Sequence, residues 1–255
     1  MTAPIIPGAE AWQHVAADPA APGVVVIHGF TGNPSSMRGI AEAFAADGFH
    51  VELPRLPGHG TSIEDMVVTR WPDWLAEAEA AYERMAARAP VVLAVGLSMG
   101  GALALRIALD HPELAGVVAV NPATQPQPDE VRAVVQGMID GGTEVMDGIG
   151  GDIADPDATE SAYPGTPLRA LLSLVDDGLA PNAARYADTT VPLLLLNSPN
   201  DHVLDPGQAD FLAGAWGGPV ERVTLERSFH VATLDYDKDL IIASALAFAH
   251  RVTAR

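Results

Sequence analysis

The chain has no cysteine among its 255 residues. That excludes disulfides, thiolate nucleophiles and cysteine-based metal centres, and it leaves the redox compartment undecided. Basic residues are scarce: 14 Lys and Arg stand against 33 Asp and Glu, for a formal charge of −19. So strong an acidic excess repels phosphate backbones and anionic lipid surfaces, which argues against nucleic-acid partners and a stable membrane anchor. Lys238 is the single lysine. With abundant alanine, that bias reads as GC-rich coding. Long apolar runs are also absent, and no window reaches the length of a membrane span. The first residues, MTAPIIPGAEAWQHV, show neither a basic start nor an apolar core of the secretory type, so the expected location is cytoplasmic. Aromatics make up 5% of the chain, while 24 Gly and 21 Pro imply many tight loops. The length suits one domain, or one domain carrying an insertion.

What is present is an alternation. Val91 to Val95 read as a strand buried on both faces, and Ala102, Leu103, Leu105, Arg106 and Leu109 as a helix packed on it. Between them lies Gly96-Leu97-Ser98-Met99-Gly100, a G-x-S-x-G turn from strand to helix. The glycines are required because Ser98 must sit on a sharp bend. Side chains at Gly96 or Gly100 would strike the neighbouring strand or helix, and Gly101 eases the same approach. The helix start behind Ser98 aims backbone N–H groups at any oxyanion formed there. The bland alternative is a glycine-rich turn with an incidental serine.

Further strands are read at Gly23 to Ile27, Phe49 to Leu53, Gly116 to Val120, Val191 to Leu196 and Val220 to Leu225, with an edge strand within Ala11 to Ala16. Helices are read from Ser35 or Ser36 to Asp47, from Pro72 past Met85, from Pro206 to Ala215 and from Asp237 to Arg251. This is the pattern of an α/β fold with a mostly parallel sheet and helices on both faces, whose sites lie beyond the carboxyl ends of the strands. Residues 1–122 and 190–255 form the expected core. Residues 123–189 break the alternation and read as an inserted helical cap, with helical stripes at Val131, Val134, Val135, Met138 and Ile139 and at Leu168, Leu171, Leu172 and Val175. Gly141 to Pro156 reads as a mobile acidic linker. Met138, Ile139, Met146 and Ile149 are candidates to line an acyl pocket, against default core packing.

A serine hydroxyl is a weak nucleophile and needs a histidine base, itself oriented by a carboxylate. The acid is expected after a strand beyond the elbow, and the base near the C-terminus. Asp201 follows the run Leu193 to Asn197, and His230 follows the last strand. Asp188 and Asp205 compete for the acid role, although Asp188 precedes its strand and Asp205 stands where it would cap a helix at Pro206. His202 adjoins the acid but is expected to point elsewhere. His28 and His59 are expected to brace loops, and His14, His50, His111 and His250 to lie at the surface or in packing. No spacing supports a metal site.

The chain resembles the bacterial carboxylesterase and monoacylglycerol lipase group of the α/β-hydrolases nearly end to end. The resemblance is carried by His28-Gly29-Phe30-Thr31-Gly32, Pro57-Gly58-His59-Gly60, Asp73-Trp74, Gly96 to Gly101, Asp201-His202-Val203 and His230 to Asp235. It implies an α/β-hydrolase fold with a small cap, Ser98 as nucleophile, Asp201 as acid and His230 as base. It further implies an oxyanion hole from the backbone N–H groups of Phe30 and Met99. The expected activity is hydrolysis of neutral short- to medium-chain acyl esters, including monoacylglycerols, with no cofactor or metal. A thioesterase, C–C hydrolase or perhydrolase on the same triad is the alternative within enzymes, and a non-catalytic ligand binder the alternative outside them. The single Gly-Phe of the first loop resembles the hole type with less room for bulky tertiary-alcohol esters.

Overall fold

The computed structural model describes residues 3–148 and 151–254. Its centre is a seven-stranded sheet built from β1 (Trp12–His14), β2 (Gly23–Ile27), β3 (His50–Leu53), β4 (Val92–Leu97), β5 (Val117–Val120), β8 (Leu193–Asn197) and β9 (Val220–Thr224). The order across the sheet is β1-β3-β2-β4-β5-β8-β9. Only β1 runs antiparallel, pairing Trp12 with Leu53 at the edge. The remaining pairs are parallel, for example Val26 with Val95 and Val120 with Leu196.

The inner strands β2, β4, β5 and Leu193 to Leu196 of β8 are apolar at every position because both faces are covered, whereas the edge strands β1 and β9 carry polar side chains. Val25 and Ile27 point into one core with helices α3 (Trp71–Ala86) and α4 (Met99–Asp110), whereas Val24 and Val26 point into the other with α1 (Arg38–Ala46) and α9 (Lys238–Thr253). Helix α8 (Gly207–Ala215) covers the first face near β8 and β9. The start of α1 differs from the sequence reading. Asn33, not Ser35 or Ser36, is the cap, its side chain accepting from the Ser35 N–H at 3.0 Å, and a 3₁₀ turn over Pro34–Met37 precedes the α-helix. The short helix α2 (Ile63–Val67) was not expected; five residues with one buried side chain, Met66, are too few to show a period.

Between β5 and β8 the chain leaves the sheet for α5 (Asp129–Asp140), β6 (Val145–Asp147), β7 (Gly165–Pro167), α6 (Leu168–Ser173) and α7 (Ala180–Ala183), with a π-helical stretch at Leu174–Leu179 joining the last two. The expected mobile linker is structured where it is described. Val145 to Asp147 pair antiparallel with Gly165 to Pro167, and Asp152 to Asp155 are hydrogen-bonded to the loop after β9. Glycines and aspartates here serve as fixed acceptors and turns. Among the described residues no helix is long and apolar enough to cross a membrane.

Candidate active site

Six loops leave the carboxyl ends of β2, β3, β4, β5, β8 and β9 and converge. At the end of β4, Ser98 has φ 55° and ψ −118°, a backbone conformation that non-glycine residues avoid. The bend is closed by its neighbours. A Cβ on Gly96 would lie 2.1 Å from the Gly100 carbonyl oxygen, and one on Gly100 would lie 2.2 Å from that of Ile27. Those two absences of a side chain let α4 start directly beneath the strand end. The Ser98 N–H donates to Val120 O at 3.0 Å, and Ser98 O accepts from Ala102 and Ala123. The elbow is thus tied to its own helix and to β5. Met99 opens α4, so its N–H has no intrahelical acceptor. Phe30, after β2, has a backbone N–H with no acceptor among the described residues.

Opposite Ser98, the His230 Nδ1–H donates to Asp201 Oδ2 at 2.7 Å, with the two side chains only 9% and 4% exposed. The other oxygen of Asp201 accepts the N–H groups of Val203 and Leu204, each at 2.8 Å. Three donors therefore lock one carboxylate in place, and the imidazole leaves Nε2 on its far edge. Ser98 and His230 line the same cavity of about 320 Å³. No hydrogen bond joins Ser98 Oγ to His230 in this structure, a contact that commonly tightens only with substrate bound.

The competing residues are engaged elsewhere. Asp205 caps α8 through the Gly207 N–H at 2.7 Å, and Asp188 lies in a 3₁₀ turn before β8. His202 donates to Asp152, His111 lies between Glu79 and Glu113, and His250 pairs with Asp47. His50 lies in packing, buried, its Nδ1 accepting from the Ala16 N–H.

His28 and His59 sit beneath the Phe30 loop, fully buried, with ring centroids 5.1 Å apart. His28 Nδ1 donates to Gly29 O while its Nε2 accepts the Leu56 N–H, so it bridges the loops after β2 and β3 as a neutral imidazole. Burial, then the neighbouring His59, holds His28 well below the usual histidine range. Burial likewise pushes His59 down to about 4. Because both stay neutral in the fold and become protonated when unfolded, stability is full above pH 6.5 and declines as pH falls toward 4. His59 alone accounts for about 3 kcal/mol of that loss, at about 1.4 kcal/mol per unit. Urea unfolding at pH 7 and pH 4.5 should show a steep decline for the native chain and a shallower one for His59→Gln.

The cavity wall is mostly apolar: Leu97, Leu171, Leu172, Leu174, Val175 and Leu179 with Val131, Val135, Met146 and Val203. Of the four acyl-pocket candidates, Met146 lines it. Met138 and Ile139 do not, because α5 turns Val131, Arg132 and Val135 to the cavity, while Ile139 is buried and Met138 half-buried away from it. Ile149 lies outside the described residues. Arg132, also on the wall, forms a bidentate pair with Asp176 of the π-helical stretch.

Two polar residues of the site had no sequence signal. Asn121, at the end of β5 with φ 40°, donates from Nδ2 to the carbonyls of Phe229 and His230 and to Ser198 Oγ, while Oδ1 accepts the Ser198 N–H. It thereby joins the loop of Asp201 to that of His230. Glu160 lines the cavity alongside Ser98 and His230, and burial raises its carboxyl above the ordinary range although the Gly151 N–H donates to it. Among the described residues no group of acidic or histidine side chains is arranged to hold a metal ion.

Comparison with known proteins agrees with this architecture. The family model described as Hydrolase_4, serine aminopeptidase, S33, matches residues 18–147, just over half of the chain. A thermostable monoacylglycerol lipase of Bacillus sp. (strain H-257) is 42% identical over 248 residues, covering 96% of each chain. A carboxylesterase of Bacillus subtilis (strain 168) is 24% identical over 90% of this chain and 92% of its own. Among solved structures, one reported for the metagenome-derived lipolytic enzymes LipS and LipT superposes with a TM-score of 0.91 at 38% identity, covering 97% of this chain and all of the other. With the elbow, the sheet order and these likenesses together, the chain belongs to the Hydrolase_4 (serine aminopeptidase, S33) family of the α/β-hydrolases.

Proposed function

We propose that the chain hydrolyses neutral carboxylic esters of apolar acyl chains, monoacylglycerols among them, through an acyl-enzyme on Ser98. The observation that carries this reading is the strained serine and the Asp201-held His230 on the wall of one apolar cavity. His230 Nε2 takes the Ser98 proton as the hydroxyl attacks the ester carbonyl, and Asp201 stabilises the imidazolium that results. The Phe30 and Met99 amides receive the developing oxyanion; each such donor contributes roughly 10²–10³ in turnover. His230 then protonates the leaving alcohol, and water releases the acid by the same steps in reverse. The apolar wall holds the acyl chain, and residues 123–189 act as the cap that supplies most of it.

Glu160 gives the alcohol side its polarity. A half-buried carboxyl there suits an alcohol that keeps free hydroxyls, as glycerol does, and the named monoacylglycerol lipase relative supports the same substrate class. Initial rates on 1-monoacylglycerols, p-nitrophenyl esters of graded length and acyl-CoA thioesters test the reading. Esters should be turned over well ahead of thioesters; preference for acyl-CoA would replace the ester reading with the thioesterase one. Glu160→Ala should lower kcat/KM about tenfold on the monoacylglycerol, the scale of one hydrogen bond to a charged group, and leave p-nitrophenyl esters, which lack hydroxyls, nearly unaffected.

A further inference from the structure

The backbone of His230 is held from two sides. Its carbonyl accepts from Asn121, a residue of the sheet core, at 2.9 Å. Its N–H donates at 3.0 Å to Asp152, a residue of the segment between β5 and β8. The same Asp152 oxygen accepts the N–H of His202, the neighbour of Asp201, at 3.1 Å, and its other oxygen accepts from the His202 ring at 2.9 Å. One carboxylate therefore ties the loop of the acid to the loop of the base. Its environment favours the charged form. Burial opposes ionisation, but the hydrogen bonds from the His202 ring, the His202 N–H and the His230 N–H outweigh it, and the carboxyl lies below its ordinary range.

Asp152 is itself held in place. Its carbonyl accepts the Val231 N–H at 3.0 Å, so residues 152 and 230–231 face each other as a short clasp. Ile153 packs on the same apolar core as Val231 and Ala232. The next two residues donate their N–H groups to Asp235, at 2.8 Å from Ala154 and 3.0 Å from Asp155, and Asp235 also accepts from Phe229 and Tyr236. Asp235 is completely buried and spends both oxygens on four backbone donors.

We infer that Asp152 is a positioning residue for the catalytic base, so that residues 152–155, although part of the insertion, belong to the catalytic frame. The inference rests on His230 being the base proposed above. A general base must lie within hydrogen-bond reach of its proton, and a displacement of about 1 Å costs on the order of 10² in rate. Asp152 fixes the His230 peptide against the Asp201 loop, leaving the ring free to turn only about its own side-chain bonds. Lifting 152–155 would therefore dismantle the triad.

The test compares Asp152→Ala, Asp152→Asn, Asp157→Asn and His230→Ala in the full chain on p-nitrophenyl butyrate. Asp152→Ala should lower kcat by about 10–10²-fold with KM changed less than about twofold, since no substrate-facing group is lost. Asp152→Asn should recover most of that loss, because one amide oxygen still accepts both N–H groups. Asp157→Asn should match the native chain, and His230→Ala should be inactive. An Asp152→Ala variant with native kcat beside an inactive His230→Ala would overturn the positioning role and leave the triad standing. An active His230→Ala would overturn the triad reading itself. Amide hydrogen exchange on the native chain needs no variant to fold: the His202 and His230 amides should be protected well above exposed loop amides, and free exchange at His230 would refute the clasp.

Discussion

Replacing Ser98 by alanine should abolish ester turnover by a factor of about 10⁴–10⁶ while leaving the fold intact. The size follows from what remains. The proposed oxyanion donors Phe30 and Met99, the cavity and the His230–Asp201 pair persist, and such remnants give roughly 10³–10⁴ over water in serine hydrolases. Without the hydroxyl, no acyl-enzyme forms. Stability should hardly move, because among the described residues Ser98 Oγ has no hydrogen-bond partner that alanine would forfeit. Glycine at the same position makes a sharper comparison. Ser98→Gly should be equally inactive yet more stable than Ser98→Ala by about 1 kcal/mol, since glycine occupies φ 55°, ψ −118° without the penalty a Cβ incurs. Urea midpoints of the two variants, with burst-phase kinetics on p-nitrophenyl butyrate, give both readouts. Native-like turnover by either variant would remove Ser98 from the chemistry.

The parts of this molecule that were legible in its sequence are those governed by local rules. Apolar runs between glycine-rich bends mark the inner strands of a mostly parallel sheet, while the order of the strands across it came only from the structure. Ser98 was marked by its own glycines, and Asp201 and His230 by their places after strands. Other residues carry no such mark. Asn121 looked like a strand end, and its work lies in loops that reach it from residues 198 and 229–230. Asp152 stood in a run of glycines and aspartates that had the composition of a mobile linker. Composition cannot show that the N–H groups of His202 and His230 and the His202 ring await the Asp152 carboxylate from elsewhere in the chain. Glu160 had no period or motif around it. Met138 and Ile139 were on the right helix, but periodicity says which residues share a face without saying which face meets the cavity.

Alanine at Gly96 or Gly100 should damage the enzyme more than any surface change, through geometry alone. At Gly96 the new Cβ would stand 2.1 Å from Gly100 O and 2.5 Å from the Gly101 nitrogen; at Gly100 it would stand 2.2 Å from Ile27 O and 2.5 Å from His28 O. Each obstacle is backbone, so no rotamer change relieves it, and α4 must move away from the strand end. Overpacking of this kind costs about 3 kcal/mol or more, which for a domain of this size lowers Tm by roughly 6–12 °C. The displaced helix start carries the Met99 amide, and the obstacle at Gly100 lies at the root of the Phe30 loop. Turnover should therefore fall on the order of 10²-fold or more, beyond what the stability loss explains at a temperature where the variant is folded. Gly137→Ala supplies the contrast. That glycine sits inside α5 with nothing within 4 Å of the added Cβ, so the change should stabilise the chain by about 0.5–1 kcal/mol through helix propensity. Melting curves and kcat for the three variants separate the accounts: if Gly100→Ala melted and turned over like Gly137→Ala, the close approach of α4 to the ends of β2 and β4 would not be what holds Ser98 in its bend.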